Sequence, residues 1–256
     1  MSINRKLIID RFIDYTSGYD IKDEKILLKI VHTEKVAQIT DEISEALGLC
    51  ENDRDIAWSI GMLHDIGRFE QVRIYGTFKD AESINHASFG ADLLFKEGLI
   101  ESFGGSSMTD EELSFIETAI RQHNKFRIED GFSGRHLMFC NIIRDADKID
   151  ILRVNMESPM EVIYGVTTEE LYNSEVSPAV LAAFNSGSCV LRSTRGTAVD
   201  NLVSHICFAF ELVFPISRRI AADQGYLYQM LAFESNNPIT RKTFAHMNGR
   251  MREYLK

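Results

Sequence analysis

Apolar residues recur every three or four positions through almost all of this 256-residue chain, and no segment alternates apolar and polar residues with a period of two. The first spacing places side chains on one face of a helix, whereas the second is typical of a half-buried strand. Glycine and serine residues at 104–107 form the clearest break between the periodic segments. The chain is therefore predicted to be all-helical and large enough to bury a core without disulfides.

Capping residues, glycines and prolines give approximate ends for the predicted helices. The main helices cover residues 5–15, 22–47, 52–67, 85–98, 109–126, 135–154 and 237–254, with short helices near Glu169 and Ala179. Residues 74–83 are predicted to form a loop. Thr109 and Glu112 have the spacing of a capping box. An apolar helix that begins at Thr197 is predicted to bend at Pro215, because proline lacks the backbone N–H that a helix interior needs.

The balance of charge excludes several kinds of partner. Lys and Arg number 28 against 38 Asp and Glu, a formal net charge of −10, which opposes general binding to nucleic acid or anionic lipid. No run approaches the ~18 apolar residues that a membrane span requires, and the charged N-terminal segment does not resemble a signal peptide. The four cysteines include no C-x-x-C pair, so we expect reduced thiols and a cytoplasmic location.

Several histidines and aspartates fall on the apolar faces of the predicted helices. His32 aligns with Val36, and His123 follows Ile120 at helical spacing. The complete set is His32, His64, His86 and His123 with Asp65 and Asp147. Each histidine alone would be explained as a buried ring with one hydrogen-bond partner. Each aspartate alone would be explained as a helix cap or as half of an ion pair.

Taken together, these six side chains require positive charge. Burying two carboxylates beside neutral imidazoles is costly unless cations accompany them. Arg68, Arg144 and Lys148 are close in sequence, but they cannot easily pair with both carboxylates and also satisfy the imidazoles. A pair of divalent metal ions would satisfy all six side chains at once.

The adjacent residues His64 and Asp65 constrain the geometry of such a site. Neighbouring residues on a helix diverge by about 100°, so both can reach one metal only near a helix end, where Gly67 would loosen the geometry. A carboxylate can also offer one oxygen to each of two metals. Asp65 is therefore the expected bridge between them.

These residues stand in motifs that resemble the HD-domain superfamily of metal-dependent phosphohydrolases. The motifs are His32, the pair His64-Asp65 within Gly-Met-Leu-His-Asp-Ile-Gly-Arg, and Asp147 within Arg-Asp-Ala-Asp-Lys-Ile-Asp. His86 in Asn-His-Ala-Ser-Phe-Gly-Ala and His123 in Ile-Arg-Gln-His-Asn-Lys resemble the six-ligand subset with a dinuclear site. The resemblance covers about residues 22–154. It implies an all-α HD-like bundle. The helical periodicity of the whole chain predicts one domain, residues 1–256, with a C-terminal helical extension at about 155–256.

The resemblance also implies roles for individual residues. One metal would be held by His32, His64, Asp65 and Asp147, and the second by His86 and His123 with Asp65 as the bridge. A metal-bridging hydroxide would then attack phosphorus in a phosphoester or phosphoanhydride. Arg68 and Lys148 would act beside Asp65 by orienting phosphate oxygens or supporting the ligands. Alternatively, Arg68 and Lys148 are solvated charges at helix ends without a role in the site.

The donor set indicates which metals and substrates to expect. Imidazole and carboxylate ligands without thiolate suit two divalent transition metals per chain. Four imidazoles favour Fe or Mn, with Zn, Ni, Co or Mg as alternatives. The expected substrate is a nucleotide or another small phosphorylated metabolite. Two other functions stay open, namely a di-iron oxygenase of the same superfamily and a catalytically silent module that senses a ligand.

A loop in the C-terminal part offers a further candidate for phosphate binding. Arg192 and Arg195 flank Ser193 and Thr194, immediately before Gly196. Two cations and two hydroxyls in one loop are suited to holding a substrate phosphate. The alternative is an ordinary solvated surface loop.

Overall fold

The computed structural model describes residues 3–255, and every regular element within that range is a helix. The predicted all-α class is therefore confirmed. Contacts along the backbone divide the chain into two compact units, Met1–Asp147 and Lys148–Lys256. The single domain over residues 1–256 stays a prediction. Among the described helices, none combines the length and the apolar character that would be needed to cross a membrane.

The first unit contains the helices that carry the six candidate ligands. In chain order they are α1 Arg5–Thr16, α2 Glu24–Ala46, α3 Glu51–Leu63, α4 Ile66–Tyr75, α5 His86–Ala91, α6 Asp110–Gln122 and the beginning of α7 Gly134–Glu157. A π turn over Asp92–Lys96 continues α5. Short 3-10 turns lie at Asp80–Glu82, Leu99–Phe103 and Gly105–Ser107.

Helices α2 and α3 pack at very short range within this unit. A Cβ placed on Gly61 of α3 would lie only 2.6 Å from the Cα of Ala37 on α2, so only glycine permits this approach. Val36, Ile43 and Ile56 are fully buried along the same pair. The close packing brings the side chains of α2 within reach of the C-terminal end of α3.

Local sequence signals place several helix ends correctly. Thr109 and Glu112 form the predicted capping box: Glu112 N donates to Thr109 Oγ1 at 3.2 Å, and Thr109 N donates to Glu112 Oε2 at 2.8 Å. Gly48 follows α2 with φ +68° and Gly98 follows the π turn with φ +80°. Both glycines adopt the left-handed conformation that commonly ends a helix.

Two helix bounds differ from the prediction in ways that shape the site. The predicted helix over residues 52–67 is interrupted, because α3 ends at Leu63 and α4 begins at Ile66 and runs to Tyr75. The apolar spacing continues across this break, so the break cannot be predicted from the periodicity of the sequence. Helix α6 ends at Gln122 instead of near residue 126, since the carbonyls that follow accept hydrogen bonds from Arg144.

The second unit is also helical. It contains the remainder of α7, followed by α8 Met160–Tyr164, α9 Thr168–Asn173, α10 Pro178–Asn185, α11 Ala198–Ile206, α12 Pro215–Asp223, α13 Tyr226–Leu231 and α14 Pro238–Tyr254. The predicted long helix with a bend at Pro215 is wrong. Helix α11 ends at Ile206, and Pro215 is the first residue of α12, a position where the missing N–H would have no helical partner.

Candidate metal centre

The break between α3 and α4 positions the adjacent pair of candidate ligands. His64 caps the C-terminal end of α3, and Asp65 precedes α4 with φ −106° and ψ 16°, outside the helical geometry. This turn allows two neighbouring residues to face the same space, as their spacing requires. Gly67 has a different role from the expected one: it lies inside α4, and a Cβ there would come within 2.5 Å of the carbonyl oxygen of His86. It permits α5 to approach α4 closely.

The two oxygens of Asp65 face different pairs of imidazoles. Oδ2 lies 3.7 Å from Nε2 of His32 and 3.6 Å from Nε2 of His64. Oδ1 lies 3.4 Å from Nε2 of His86 and 3.8 Å from Nε2 of His123. Asp65 is 2 % exposed. The carboxylate therefore stands between two clusters of nitrogen donors.

Asp147 completes the cluster on the Oδ2 side. Its Oδ1 lies 3.1 Å from Nε2 of His32 and 3.9 Å from Nε2 of His64. Donor atoms of His32, His64 and Asp147 all lie within 4.8 Å of one another, as do those of His64, Asp65 and His123. Such spacing is compatible with a shared metal ion.

Hydrogen bonds fix the tautomers of three imidazoles. Nδ1 of His64 donates to the carbonyl of Gly61 at 2.8 Å, and Nδ1 of His123 donates to the carbonyl of Ile120 at 2.7 Å. Nδ1 of His86 lies 2.7 Å from a carboxylate oxygen of Asp80 and donates to it. In a neutral ring the other nitrogen then carries a lone pair. All three rings consequently present Nε2 as a potential metal donor.

The polar atoms at the centre provide a test of whether a metal fits. Nε2 of His64 and Oδ1 of Asp65 are buried without a hydrogen-bond partner among the described residues. Nε2 of His86 lies 3.1 Å from Nε2 of His123, although both rings use their Nδ1–H elsewhere. Two lone pairs at this distance repel each other unless a cation lies against them. The site therefore fits divalent cations, which satisfy nitrogen and carboxylate donors together.

Burial keeps the imidazoles of His64 and His86 neutral, as metal binding requires. It lowers the pKa of His64 to about 4 and that of His86 to about 3. Burial opposes ionisation of Asp65, but Lys29, His64, His123 and Arg68 together outweigh it, so the pKa lies well below its usual range. The pKa of Asp147 is also lowered, because its interactions with His32, His64 and His123 together outweigh burial. At neutral pH the centre therefore combines the neutral rings of His64 and His86 with ionised carboxylates.

Lys29 is a member of the site that the sequence reasoning did not identify. Its Nζ donates to Oδ2 of Asp65 at 2.7 Å and lies 5.4 Å from the ring centroid of Phe78. Lys29 precedes His32 by three residues on α2, so the two share a helix face. That spacing is the signal that could have revealed it.

Asp80 is a second residue without a predicted role. It lies in the segment expected to be a loop, where no periodicity points to any function. One oxygen accepts from His86, and the other accepts from Arg68 at 3.0 Å and from Gln71 at 3.0 Å. A carboxylate that accepts from the distal nitrogen of a metal-binding histidine holds the ring in orientation. Asp80 is therefore placed to orient His86.

Arg68 supports the site instead of standing free within it. Its Nη1 donates to Gln71 at 2.8 Å, to the carbonyl of Phe78 at 2.8 Å and to Asp80. Its Nε lies 3.5 Å from Oδ1 of Asp65. These partners are compatible with the expected role of Arg68 in supporting the ligands. Contact of Arg68 with a substrate phosphate stays a prediction.

Arg144 holds the chain that follows α6. Its guanidinium donates to the carbonyls of Gln122, His123, Lys125 and Phe126 and is 7 % exposed. These bonds replace the helical bonds that a longer α6 would have made. Arg144 thereby fixes the backbone of His123.

The other predicted site residues belong to the second unit. Nζ of Lys148 donates to Oε2 of Glu211 at 2.7 Å, and the side chain of Lys148 is largely buried. Arg192 and Arg195 stand in a short turn before α11. The structure therefore brings the six candidate metal ligands together within the first unit, and their roles as ligands stay a prediction, as do those of these three cations.

Comparison with known proteins adds one finding. Residues 30–153 match the family model described as HD domain. No curated protein and no solved structure gives a significant match to the chain. The matched range contains all six candidate ligands.

Proposed function

Because the chain belongs to the HD-domain superfamily over residues 30–153, we propose that it is a metal-dependent phosphohydrolase. It hydrolyses a phosphoester or phosphoanhydride of a nucleotide or another small phosphorylated metabolite. The observation that carries the proposal is the placement of Asp65, whose two oxygens face separate pairs of imidazoles at 3.4–3.8 Å. That arrangement supports two metal sites that share one carboxylate.

The proposed ligand sets follow from these distances. One ion is held by His32, His64 and Asp147 together with Oδ2 of Asp65. The second ion is held by His86 and His123 together with Oδ1 of Asp65. The four imidazoles among these donors support Fe or Mn, with Zn, Ni, Co or Mg as alternatives. Two ions per chain are expected.

A bound pair of divalent cations supplies an activated water at neutral pH and stabilises negative charge on phosphoryl oxygens. The protein supplies the geometry. His64 and His123 are fixed by their bonds to backbone carbonyls, and Asp80 fixes His86. Arg68 in turn holds Asp80. The rings of His64, His86 and His123 are thus each held through Nδ1, on the side opposite the centre.

The charge of the protein supports a small substrate. With a net charge of −10, the protein repels a polyanionic polymer at long range. A single nucleotide or sugar phosphate carries much less charge. Nucleic-acid polymers and membranes are accordingly not proposed as partners.

The test combines metal content with turnover. Protein prepared without chelator is analysed for metals, reconstituted with Mn or Fe, and assayed for phosphate release from a panel of nucleotides and sugar phosphates. We expect about two ions per chain and release from at least one substrate. Asp65→Ala should lose both metal and turnover but keep its helical content. Asp14→Ala removes an exposed carboxylate of α1 and serves as the matched control.

Two outcomes would contradict the proposal. If Asp65→Ala binds two ions as the parent does, Asp65 is not the bridge. If the metal-loaded protein releases no phosphate but consumes oxygen only when loaded with iron, the di-iron oxygenase replaces the hydrolase. Inactivity with every metal and substrate would instead support a sensing module.

A further inference from the structure

Two arginines of the second unit stand on the same side of one tight turn. Arg192–Thr194 form a 3-10 turn that Arg195 ends, and Arg195 N donates to the carbonyl of Arg192 at 3.3 Å. In a 3-10 turn, residues three apart align on the same face because the period is three residues. The side chains of Arg192 and Arg195 therefore leave the turn on the same side, and their charges interact.

Arg195 is partly buried, and part of its guanidinium group has no partner. Its Nε is buried and has no hydrogen-bond partner among residues 3–255. A partly buried charge that is incompletely hydrogen-bonded is unfavourable. Nearby Arg192 adds a like charge and does not relieve the cost. The turn thus holds positive charge that this part of the chain leaves unbalanced.

The nearby carboxylate of Asp200 already accepts several hydrogen bonds from other groups. Asp200 of α11 is fully buried. Its carboxylate accepts from Ser177 N at 2.9 Å, from Gly196 N at 2.8 Å and from Thr197 N at 3.0 Å, and it also accepts from the hydroxyl of Ser177. These bonds cap the start of α11. Asp200 consequently stabilises the turn's backbone, and it favours the charged form of Arg195 only through a longer-range electrostatic interaction.

The neighbouring residues change the electrostatics without neutralising the arginine. Burial and the charge of Arg192 lower the pKa of Arg195, yet a guanidinium remains protonated in proteins. Tyr164 lies near enough to interact electrostatically with Arg195, and burial raises the pKa of its phenol. Tyr164 therefore remains neutral and cannot serve as the counter-ion.

We propose that Arg192 and Arg195 form a binding site for a phosphate group. Two guanidinium groups on one face offer paired N–H donors that match the oxygens of a phosphate, and the bound anion supplies the missing negative charge. Thr194 and Ser193 lie within the same turn. The site consists of residues of the second unit alone, so it does not depend on the proposed hydrolysis or on metal binding.

The experiment uses the full chain after treatment with chelator, so that phosphate cannot bind through metal. Inorganic phosphate is titrated against chloride at constant ionic strength, with calorimetry and the thermal midpoint as readouts. The parent protein should bind phosphate saturably and gain thermal stability. Arg195→Gln should weaken binding by about tenfold or more, and Arg195→Lys should weaken it less because charge is kept.

A control variant separates a specific site from general charge. Arg219→Gln removes the same charge from an exposed position of α12 and should leave phosphate affinity unchanged. Without phosphate, Arg195→Gln should unfold at a higher temperature than the parent, since an unpaired charge has been removed. A role of Arg195 in holding the fold together would give the opposite shift.

Three results would overturn the proposal: no saturable binding of phosphate, equal weakening by Arg219→Gln, or a lower thermal midpoint for Arg195→Gln without phosphate. If the site is supported, kinetics of the metal-loaded enzyme identify the source of the phosphate. A raised KM at constant kcat for Arg195→Gln indicates the substrate's own phosphate. An unchanged KM with a lost response to added phosphate indicates an effector.

Discussion

The contact between α4 and α5 depends on a glycine that can be tested directly. A Cβ on Gly67 would lie 2.5 Å from the carbonyl oxygen of His86 and 2.6 Å from the nitrogen of Gly90. Both are backbone atoms, so no side-chain rotation can relieve the clash. Gly67→Ala must therefore push α5 away from α4.

The displacement can be compared with what a metal site tolerates. An ordinary van der Waals contact begins at 3.4 Å, so α5 must move by about 0.9 Å, whereas metal–ligand distances vary by about 0.2 Å. His86 is the first residue of α5 and faces Oδ1 of Asp65 at 3.4 Å. The site formed with His123 should weaken, while the site formed by His32 and Asp147 should remain.

The assay measures metal content by elemental analysis and stability by urea unfolding of the chelator-treated protein. Gly67→Ala should retain about one ion instead of two and lose about 1–3 kcal/mol of unfolding free energy through overpacking. Gly249→Ala is the matched control, because Gly249 lies in α14 with nothing within 4 Å of its Cβ position. It should gain up to about 1 kcal/mol, as alanine favours a helix more than glycine does.

The reasoning is refuted if Gly67→Ala keeps two ions at parental affinity and parental stability. Such a result would show that α5 can shift without moving His86 relative to Asp65. Loss of both ions together would also contradict it, since the contact would then support the whole centre.

Two further substitutions examine residues that the sequence reasoning did not identify. Asp80→Asn keeps the shape of the side chain but removes the charged acceptor of His86, so metal affinity measured in competition with a chelator should fall by about 10–100-fold. Asp14→Asn, at an exposed position, is the control. Unchanged metal affinity of Asp80→Asn would show that Asp80 does not support the site. Lys29→Met removes the cation nearest to the buried carboxylate of Asp65 and leaves only the longer contact with Arg68. The metal-free protein should therefore lose about 3 kcal/mol in urea unfolding, while metal affinity should rise because a competing cation is gone. A fall in both quantities would instead make Lys29 part of the metal-bound arrangement.

The helical class and most helix bounds could be predicted because their signals are local. The capping box at Thr109 and the glycines after α2 and the π turn act on the backbone beside them. The same is true of the inward faces that carry His32 and His123. A period of 3.6 residues suffices to place these side chains on the buried side, and the packing of the unit then brings them together.

Other features could not be predicted because they depend on contacts between distant segments. The helix break at His64 and Asp65 leaves the apolar spacing unchanged, so the periodicity predicts one continuous helix. Asp80 acquires its role only when its segment packs against His86. Pro215 is equally compatible with a bend inside a helix and with the first residue of one, and the packing of the second unit decides between them.

The bonds of Arg144 have a mechanical consequence. This residue of α7 holds the carbonyl of His123 at the end of α6, and Asp147 follows it by three residues on the same helix. Sliding of α7 would therefore carry His123 and Asp147 together, although His123 faces Oδ1 of Asp65 and Asp147 contacts His32. His86 rests on a different helix, held by the glycine contact with α4. On heating, His86 should accordingly be the first of these residues to leave its position, while His123 and Asp147 continue to move together.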